Sequence, residues 1–208
     1  MRKTQRSASV PAAAALIAAI GLAGGFAAAS KGPCGSATST ATLAGPKEPG
    51  EPLHVTGRIF APNGVTPAAG VLLYVYQTDA TGRYNRWPGK APRLKGWIRT
   101  GADGRYEYRT IRPGAYPGGR IAAHVHTQMW GKGVPPQYGT DLLFEGDPHL
   151  TEDERRRSAA AGRFAFIRPV ERGPQGVWRA VHDLRLKSSG DRFEDNTMHG
   201  LEPCGVEP

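Results

Sequence analysis

Apolar and polar residues alternate in several short runs, and Gly or Pro clusters divide one run from the next. The runs fall around 54 to 60, 71 to 77, 105 to 110, 121 to 130, 138 to 144, 163 to 168 and 177 to 186. Alternation over four to eight residues is the mark of a strand with one face buried, and turn residues at this spacing predict an all-β sandwich. Within the last run, Trp178, Ala180, His182, Leu184 and Leu186 share one face, which makes His182 a packed histidine. Tyr74, Tyr76, Tyr106 and Tyr108 also fall at strand spacing and are expected to pack in the core or across strands. One segment breaks the period of two. Thr151-Glu152-Asp153-Glu154 has the form of a capping box and predicts a single short helix running to Ala161, with Arg155, Arg156 and Arg157 on its solvated face. The predicted fold is therefore all-β: a single-domain β-sandwich with one short helix and long loops that carry the site.

The first 29 residues do not belong to that pattern. Arg2, Lys3 and Arg6 precede an Ala-rich apolar stretch from Val10 to Ala28, and Ala27-Ala28-Ala29 suits signal peptidase. Residues 1–29 read as an export signal, with an uncleaved anchor as the rival, since a bilayer takes about 20 apolar residues to span. Residues 30–52, rich in Gly, Ser, Thr, Ala and Pro, read as a flexible lead-in, 53–190 as the sandwich and 191–208 as a C-terminal tail. The mature chain, about 180 residues, suits one domain.

The net charge is +9, and removing the three basic residues of the signal lowers it to +6, with no long basic run. Neither this nor any aromatic RNA motif supports nucleic-acid binding. Cys34 and Cys204 are the two cysteines. In an oxidising compartment they can form one disulfide between the ends of the mature chain, a pairing that sequence alone leaves open. Oligomeric state is open as well.

The candidate chemistry lies mid-chain. His124 and His126 stand at i and i+2 on a predicted strand, so both imidazoles project from one face while Val125 points the other way. Tyr116 is framed by Pro113 and Pro117, which stiffen its loop. Tyr84 follows the turn signal Asp79-Ala80-Thr81-Gly82-Arg83 and belongs at a loop mouth. Phenolate oxygen is a hard donor with an ordinary pKa of about 10, so tyrosinate ligands imply a strongly acidic cation. Two phenols with two imidazoles fit ferric iron better than zinc or copper. Trp87, Trp97, Trp130 and Tyr138 flank these residues in sequence and are candidates for an aromatic wall, Trp87 foremost. Glu145 and Asp147 are expected to organise a turn nearby, and His54, His149 and His199 to lie on the surface.

Four segments in order carry a resemblance to a known family. They are Tyr76 to Tyr84, Asp103 to Pro117, His124-Val125-His126, and Leu143-Phe144-Glu145-Gly146-Asp147-Pro148. From about Leu53 to Leu186 the chain resembles the intradiol ring-cleavage dioxygenases, such as catechol 1,2-dioxygenase and protocatechuate 3,4-dioxygenase. The resemblance implies that Tyr84, Tyr116, His124 and His126 bind non-haem Fe(III). It also implies that Tyr116 is released as an internal base when a catechol chelates the metal. The expected reaction cleaves the ring between its two hydroxyl carbons with O2, giving a cis,cis-muconate-type diacid. One departure stands out. The family usually has an arginine three residues before the first histidine, where this chain has Ile121, with Arg120 one step earlier. On a strand that step would turn the side chain to the other face, so Arg120 takes the catalytic cation's place only if the segment bulges or is a loop.

Two other classes compete with this reading. Gly57 to Gly64 and Ala102 to Tyr106 also suit a metal-free sandwich binding module of the transthyretin or carboxypeptidase-regulatory type. A metal-dependent hydrolase or isomerase would use the same ligands, but no paired carboxylates are placed as acid and base. Metal content separates the module from either enzyme.

Overall fold

The computed structural model describes residues 32–87, 91–189, 191 and 204. The expected export signal, His199 and all of the expected tail except Asp191 and Cys204 lie outside the described residues. None of the described helices is long and apolar enough to cross a membrane.

In chain order the elements are α1 (Gly32–Gly35), β1 (Thr40–Thr42), β2 (Pro52–Phe60), β3 (Leu72–Gln77), β4 (Leu94–Arg99), β5 (Arg105–Ile111) and β6 (His124–Gly131). They continue with β7 (Val134–Tyr138), β8 (Leu142–Phe144), α2 (Glu152–Ala160), β9 (Ile167–Arg168), β10 (Glu171–Arg172), β11 (Trp178–Val181) and β12 (Leu184–Arg185). The strands form two sheets. One runs β1-β5-β2-β11-β10 with β12 also on β2, and the other runs β4-β3-β6-β8-β9 with β7 on β6.

Period-two alternation turns one face of each sheet inward. Leu53, Val55 and Ile59 from β2, Leu73 and Val75 from β3, Tyr106 and Tyr108 from β5, and Val125 and Met129 from β6 fill the space between. Burying an apolar side chain of this size contributes roughly 1.5–3 kcal/mol, which is why the inward face decides the register. Gly57 stands opposite Tyr106 because the chain passes so close that a Cβ there would meet the His182 carbonyl oxygen at 2.0 Å. His182 is fully buried, as its place in the alternation predicts. The predicted helix forms with Thr151 as N-cap and with both bonds of the capping box to Glu154.

Four departures from the sequence pattern have local causes. β4 had no apolar alternation to announce it, because its middle inward position is Gly96. Leu43 fills that space, 3.2 Å from where a Cβ would lie. Leu43 comes from the segment expected to be a flexible lead-in, part of which is built into the sandwich: β1 pairs in parallel with β5. The run at 138 to 144 divides into the end of β7 and β8, and of the run at 163 to 168 only Ile167–Arg168 is strand, after a turn of 3-10 helix. Finally, β6 begins at His124 rather than Ile121. Its lead-in stays irregular because the Ala123 N–H donates to Asp147 Oδ2 at 3.0 Å instead of to a neighbouring strand.

Cys34 and Cys204 form a disulfide with Cα atoms 5.5 Å apart. It packs with Leu72, Tyr74 and Trp130 on the outer face of the second sheet.

Candidate metal centre

β6 carries His124 and His126 on the outer face of the second sheet, since Val125 and Thr127 between and beyond them are fully buried. The pairing Tyr76↔His126 on one side and His124↔Leu143 on the other fixes both backbones in the sheet interior. Tyr76, expected to pack, does so on the site itself: its ring stacks on His126 with centroids 4.6 Å apart.

Tyr84 and Tyr116 reach the histidines from two loops that lie back to back. Gly82 has φ of 80°, and a Cβ on it would sit 1.9 Å from the Ala115 carbonyl oxygen, so only glycine lets the loops approach this closely. Gly114 N–H donates to the Asp79 carbonyl at 2.9 Å, and Thr78 Oγ1 donates to the Gly114 carbonyl at 2.7 Å. Asp79 Oδ1 accepts from the Thr81 N–H at 2.9 Å, and Arg93 Nη2 bridges Asp79 Oδ2 at 3.3 Å and Glu48 Oε1 at 2.9 Å. The Arg93 N–H also donates to the Tyr84 carbonyl at 2.9 Å.

Four donor atoms converge as a result. Tyr84 Oη lies 2.7 Å from His126 Nε2 and in direct contact with Tyr116 Oη. Tyr116 Oη lies 3.2 Å from His124 Nε2 and 3.4 Å from His126 Nε2, and the two imidazole nitrogens are 2.9 Å apart. Four ligands each about 2 Å from one centre would be spaced about 3.3 Å apart, so the set has the dimensions of a metal site. Burial first, and then the hydrogen bond to Tyr116, push the Tyr84 phenol well above its ordinary pKa. A cation is what would offset that cost and let the phenol ionise, and the hard oxygen donors suit a trivalent one.

Sequence reasoning missed Asp141. Its Oδ2 lies 3.0 Å from His126 Nδ1, and His124, His126 and Asp141 together form a group of the two-histidine, one-carboxylate type. The carboxylate meets His126 at the ring nitrogen opposite the one that faces the phenols, so it backs the ligand rather than joining the four donors. The only signal was general: a metal-binding imidazole hands its second N–H to a carboxylate or carbonyl.

The other candidates separate. Asp147 organises the turn as expected, accepting from the Ala123 and His149 N–H groups, whereas Glu145 is held through its backbone. Trp97 and Trp130 are packing residues with the disulfide, not a wall around the donors. Tyr138 lies opposite Gln128 on the site's face and is 42% exposed, while Trp87, three residues after Tyr84, is 71% exposed. His54 is not a bare surface residue: its Nε2 is 3.1 Å from Glu107. Arg120 is exposed in the irregular stretch before β6. The objection from strand alternation therefore does not apply to it. A cavity of about 390 Å³ lies behind the Tyr116 loop, lined in part by Ala115, Ala123, Arg112 and Asp147. A larger one of about 430 Å³ lies on the first sheet, and neither is lined by any of the four donors.

A family profile described as Dioxygenase matches residues 27–188. The β chain of protocatechuate 3,4-dioxygenase from Burkholderia cepacia is 34% identical over 116 residues, 50% of this chain and 49% of that one. The 6-chlorohydroxyquinol 1,2-dioxygenase of Cupriavidus pinatubonensis is 39% identical over 155 residues, 66% of this chain and 54% of that one. The chain thus spans about half the length of the curated relatives it matches. Among solved structures, the dioxygenase domain of a dioxygenase carbohydrate-binding protein fusion from Streptomyces sp. SirexAA-E aligns with a TM-score of 0.55 at 30% identity, covering 74% of this chain and 90% of that one. Catechol 1,2-dioxygenase from Pseudomonas arvilla C-1 aligns with a TM-score of 0.59 at 24% identity, over 78% of this chain and 61% of that one, and shows the fold alone. A sandwich with this match along most of its length places the chain in the intradiol ring-cleavage dioxygenase family.

Proposed function

We propose that this protein is an exported, non-haem Fe(III) intradiol dioxygenase that opens a catechol-type ring between its hydroxyl carbons. Both atoms of O2 enter the product, a cis,cis-muconate-type diacid, so the reaction needs no outside reductant. The observation that carries the reading is the convergence of Tyr84, Tyr116, His124 and His126 on one point of metal-site dimensions.

The bound ferric ion would supply Lewis acidity, drawing both catechol oxygens onto one centre and directing O2 to the electron-rich ring. The chain's own groups do the rest. His124 and His126, held by sheet pairing on both sides, keep their Nε2 atoms fixed. Tyr84 is braced by the Arg93 and Asp79 contacts, which suits a ligand that stays. Tyr116, framed by prolines, would hold the metal through its Oη and take up a catechol hydroxyl proton at that atom. Arg120 supplies the cation that stabilises charge on the ring. In support, it stands four residues before His124 on irregular backbone, and no ion pair among the described residues holds it elsewhere. Tyr138, on the same face opposite Gln128 and partly exposed, offers ring surface to an aromatic substrate.

The test is the visible spectrum and iron content of the purified protein, before and after anaerobic addition of catechol. A tyrosinate-to-iron band that shifts with catechol, followed by O2-dependent loss of catechol absorbance, is expected. A colourless protein that takes up neither ferric nor ferrous iron would remove this reading and leave a sandwich binding module. Turnover unchanged in Arg120→Ala would remove the role given to Arg120 alone.

A further inference from the structure

The two histidines of the site are backed differently. His124 Nδ1 lies 2.7 Å from the Ala122 carbonyl oxygen, a neutral acceptor two residues away in the chain. His126 Nδ1 lies 3.0 Å from Asp141 Oδ2, a carboxylate brought from another part of the chain. Both acceptors demand an N–H at Nδ1, and that leaves the lone pair of each imidazole at Nε2, aimed at the phenols. A charged acceptor binds an N–H more strongly than a neutral one and returns more electron density to the ring.

Asp141 is not a surface acid that has swung into reach. It immediately precedes β8, whose Leu142 and Leu143 pair with Val125 and His124 and are buried. On its other side, Thr127 Oγ1 donates to the Thr140 carbonyl at 3.1 Å, and the Gly139 N–H donates to the Thr127 carbonyl at 3.1 Å. Thr127 neighbours His126 on β6, so the strand that presents the imidazole also anchors the segment that presents its acceptor. Tyr76, stacked on the His126 ring, blocks rotation out of this contact.

We propose that Asp141 is a positioning residue for the metal centre: its carboxylate accepts the His126 Nδ1–H, fixes that tautomer and ring plane, and makes His126 the stronger imidazole donor of the pair. The inference rests on the reading that the four donors hold iron, and concerns which of the two imidazoles holds it more firmly. Asn at position 141 keeps an acceptor oxygen and removes the charge, Ala removes both, and Glu restores the charge on a longer arm.

The experiment uses the protein loaded with Ga(III), a diamagnetic stand-in for Fe(III), and follows the histidine ring resonances by 15N NMR. The wild-type protein should show a His126 Nδ1–H proton further downfield than that of His124. In Asp141→Asn this proton should move upfield, and Fe(III) should be held about 10- to 100-fold less tightly in competition with a tris-hydroxamate chelator. Asp141→Ala should be worse, and Asp141→Glu should recover part of the loss. A role confined to the fold would lower the melting temperature without moving the His126 resonance relative to that of His124. The wild-type spectrum is decisive by itself if the variants do not fold: a His126 with Nδ1 unprotonated overturns the proposal. So does an Asp141→Asn protein that keeps iron as firmly as the parent. A wild-type protein that takes up neither Ga(III) nor Fe(III) instead sinks the metal-site reading beneath it.

Discussion

The outer face of the second sheet has two ends that the same two strands build in opposite ways. Tyr76↔His126, Tyr74↔Gln128 and Leu72↔Trp130 are successive outward-facing pairs of β3 and β6. At the Leu72 end, Leu72, Tyr74 and Trp130 are buried beneath the Cys34–Cys204 disulfide. At the other end, about 13 Å along the strand, His126 and Tyr76 are only half-buried, and the covering comes from loops that bring phenol oxygens. A continuous line of rings joins them: Trp97 to Tyr74 at 4.9 Å, Tyr74 to Tyr76 at 5.3 Å, and Tyr76 to His126 at 4.6 Å. Strand pairing is thus common to both ends, and the character of each is set by what lies over it. One end stabilises by removing apolar rings from water. The other crowds polar donors in a site whose part-buried Tyr84 phenol resists ionisation, a cost that a bound cation would offset.

The contrast can be broken most sharply by exchanging the losses. His126→Ala should weaken iron binding by more than about 100-fold, beyond the cost of losing a supporting partner, as read by chelator competition. Trp130→Ala should leave the visible band in place and lower unfolding free energy by about 3–5 kcal/mol in a urea titration. An iron-free but fully stable Trp130→Ala protein would show that the two ends are not separable.

Next comes the disulfide, which closes a separation of 170 residues. Chain entropy places its contribution at about 5 kcal/mol, so Cys34→Ser should unfold at much lower urea while its iron spectrum stays as in the parent. Equal stability with and without the bond would mean that the covering of this end comes from side chains alone.

A smaller effect separates core from site by pH. Burial first, and then Arg168, lower the His182 pKa from its ordinary 6.5 to about 4. The unfolded chain therefore takes up this proton first. Stability from the neutral histidine is whole above pH 6.5, declines as pH falls below it, and is about 3 kcal/mol lower once pH reaches 4. Unfolding of His182→Gln measured across that range should show a flatter profile.

The smallest expected change is at the brace of the Tyr84 loop. Arg93 is 39% exposed at its side chain, so Arg93→Ala should cost no more than about 1 kcal/mol. Faster amide exchange at residues 79–84, with a slightly weaker hold on iron, would tie the brace to the site. Unchanged exchange there would place the rigidity in the Gly82 and Gly114 packing alone.

Local pattern made some of this architecture legible in advance. The shared face of His124 and His126 follows from a period of two, and α2 follows from the reach of Thr151 and Glu154 to each other across one turn. The buried place of His182 follows from its neighbours at two-residue spacing. β4 was hidden because Leu43, some fifty residues away, fills the inward position that Gly96 leaves empty. The start of β6 was misplaced by the apolar run from Ile121, since Asp147 takes the N–H that a strand partner would have taken.

By itself, the sequence determined the all-β sandwich and its helix α2, and it singled out the four candidate donors, because alternation, capping and motif order are properties of neighbouring positions. Only the tertiary structure decided that Tyr84 and Tyr116 meet at the histidines, that Asp141 stands behind His126, that part of the lead-in pairs with β5, and that Cys34 reaches Cys204. Each of these joins segments far apart in the chain. Their approach is fixed by sheet register and by glycine contacts of a few ångströms, which no local pattern encodes.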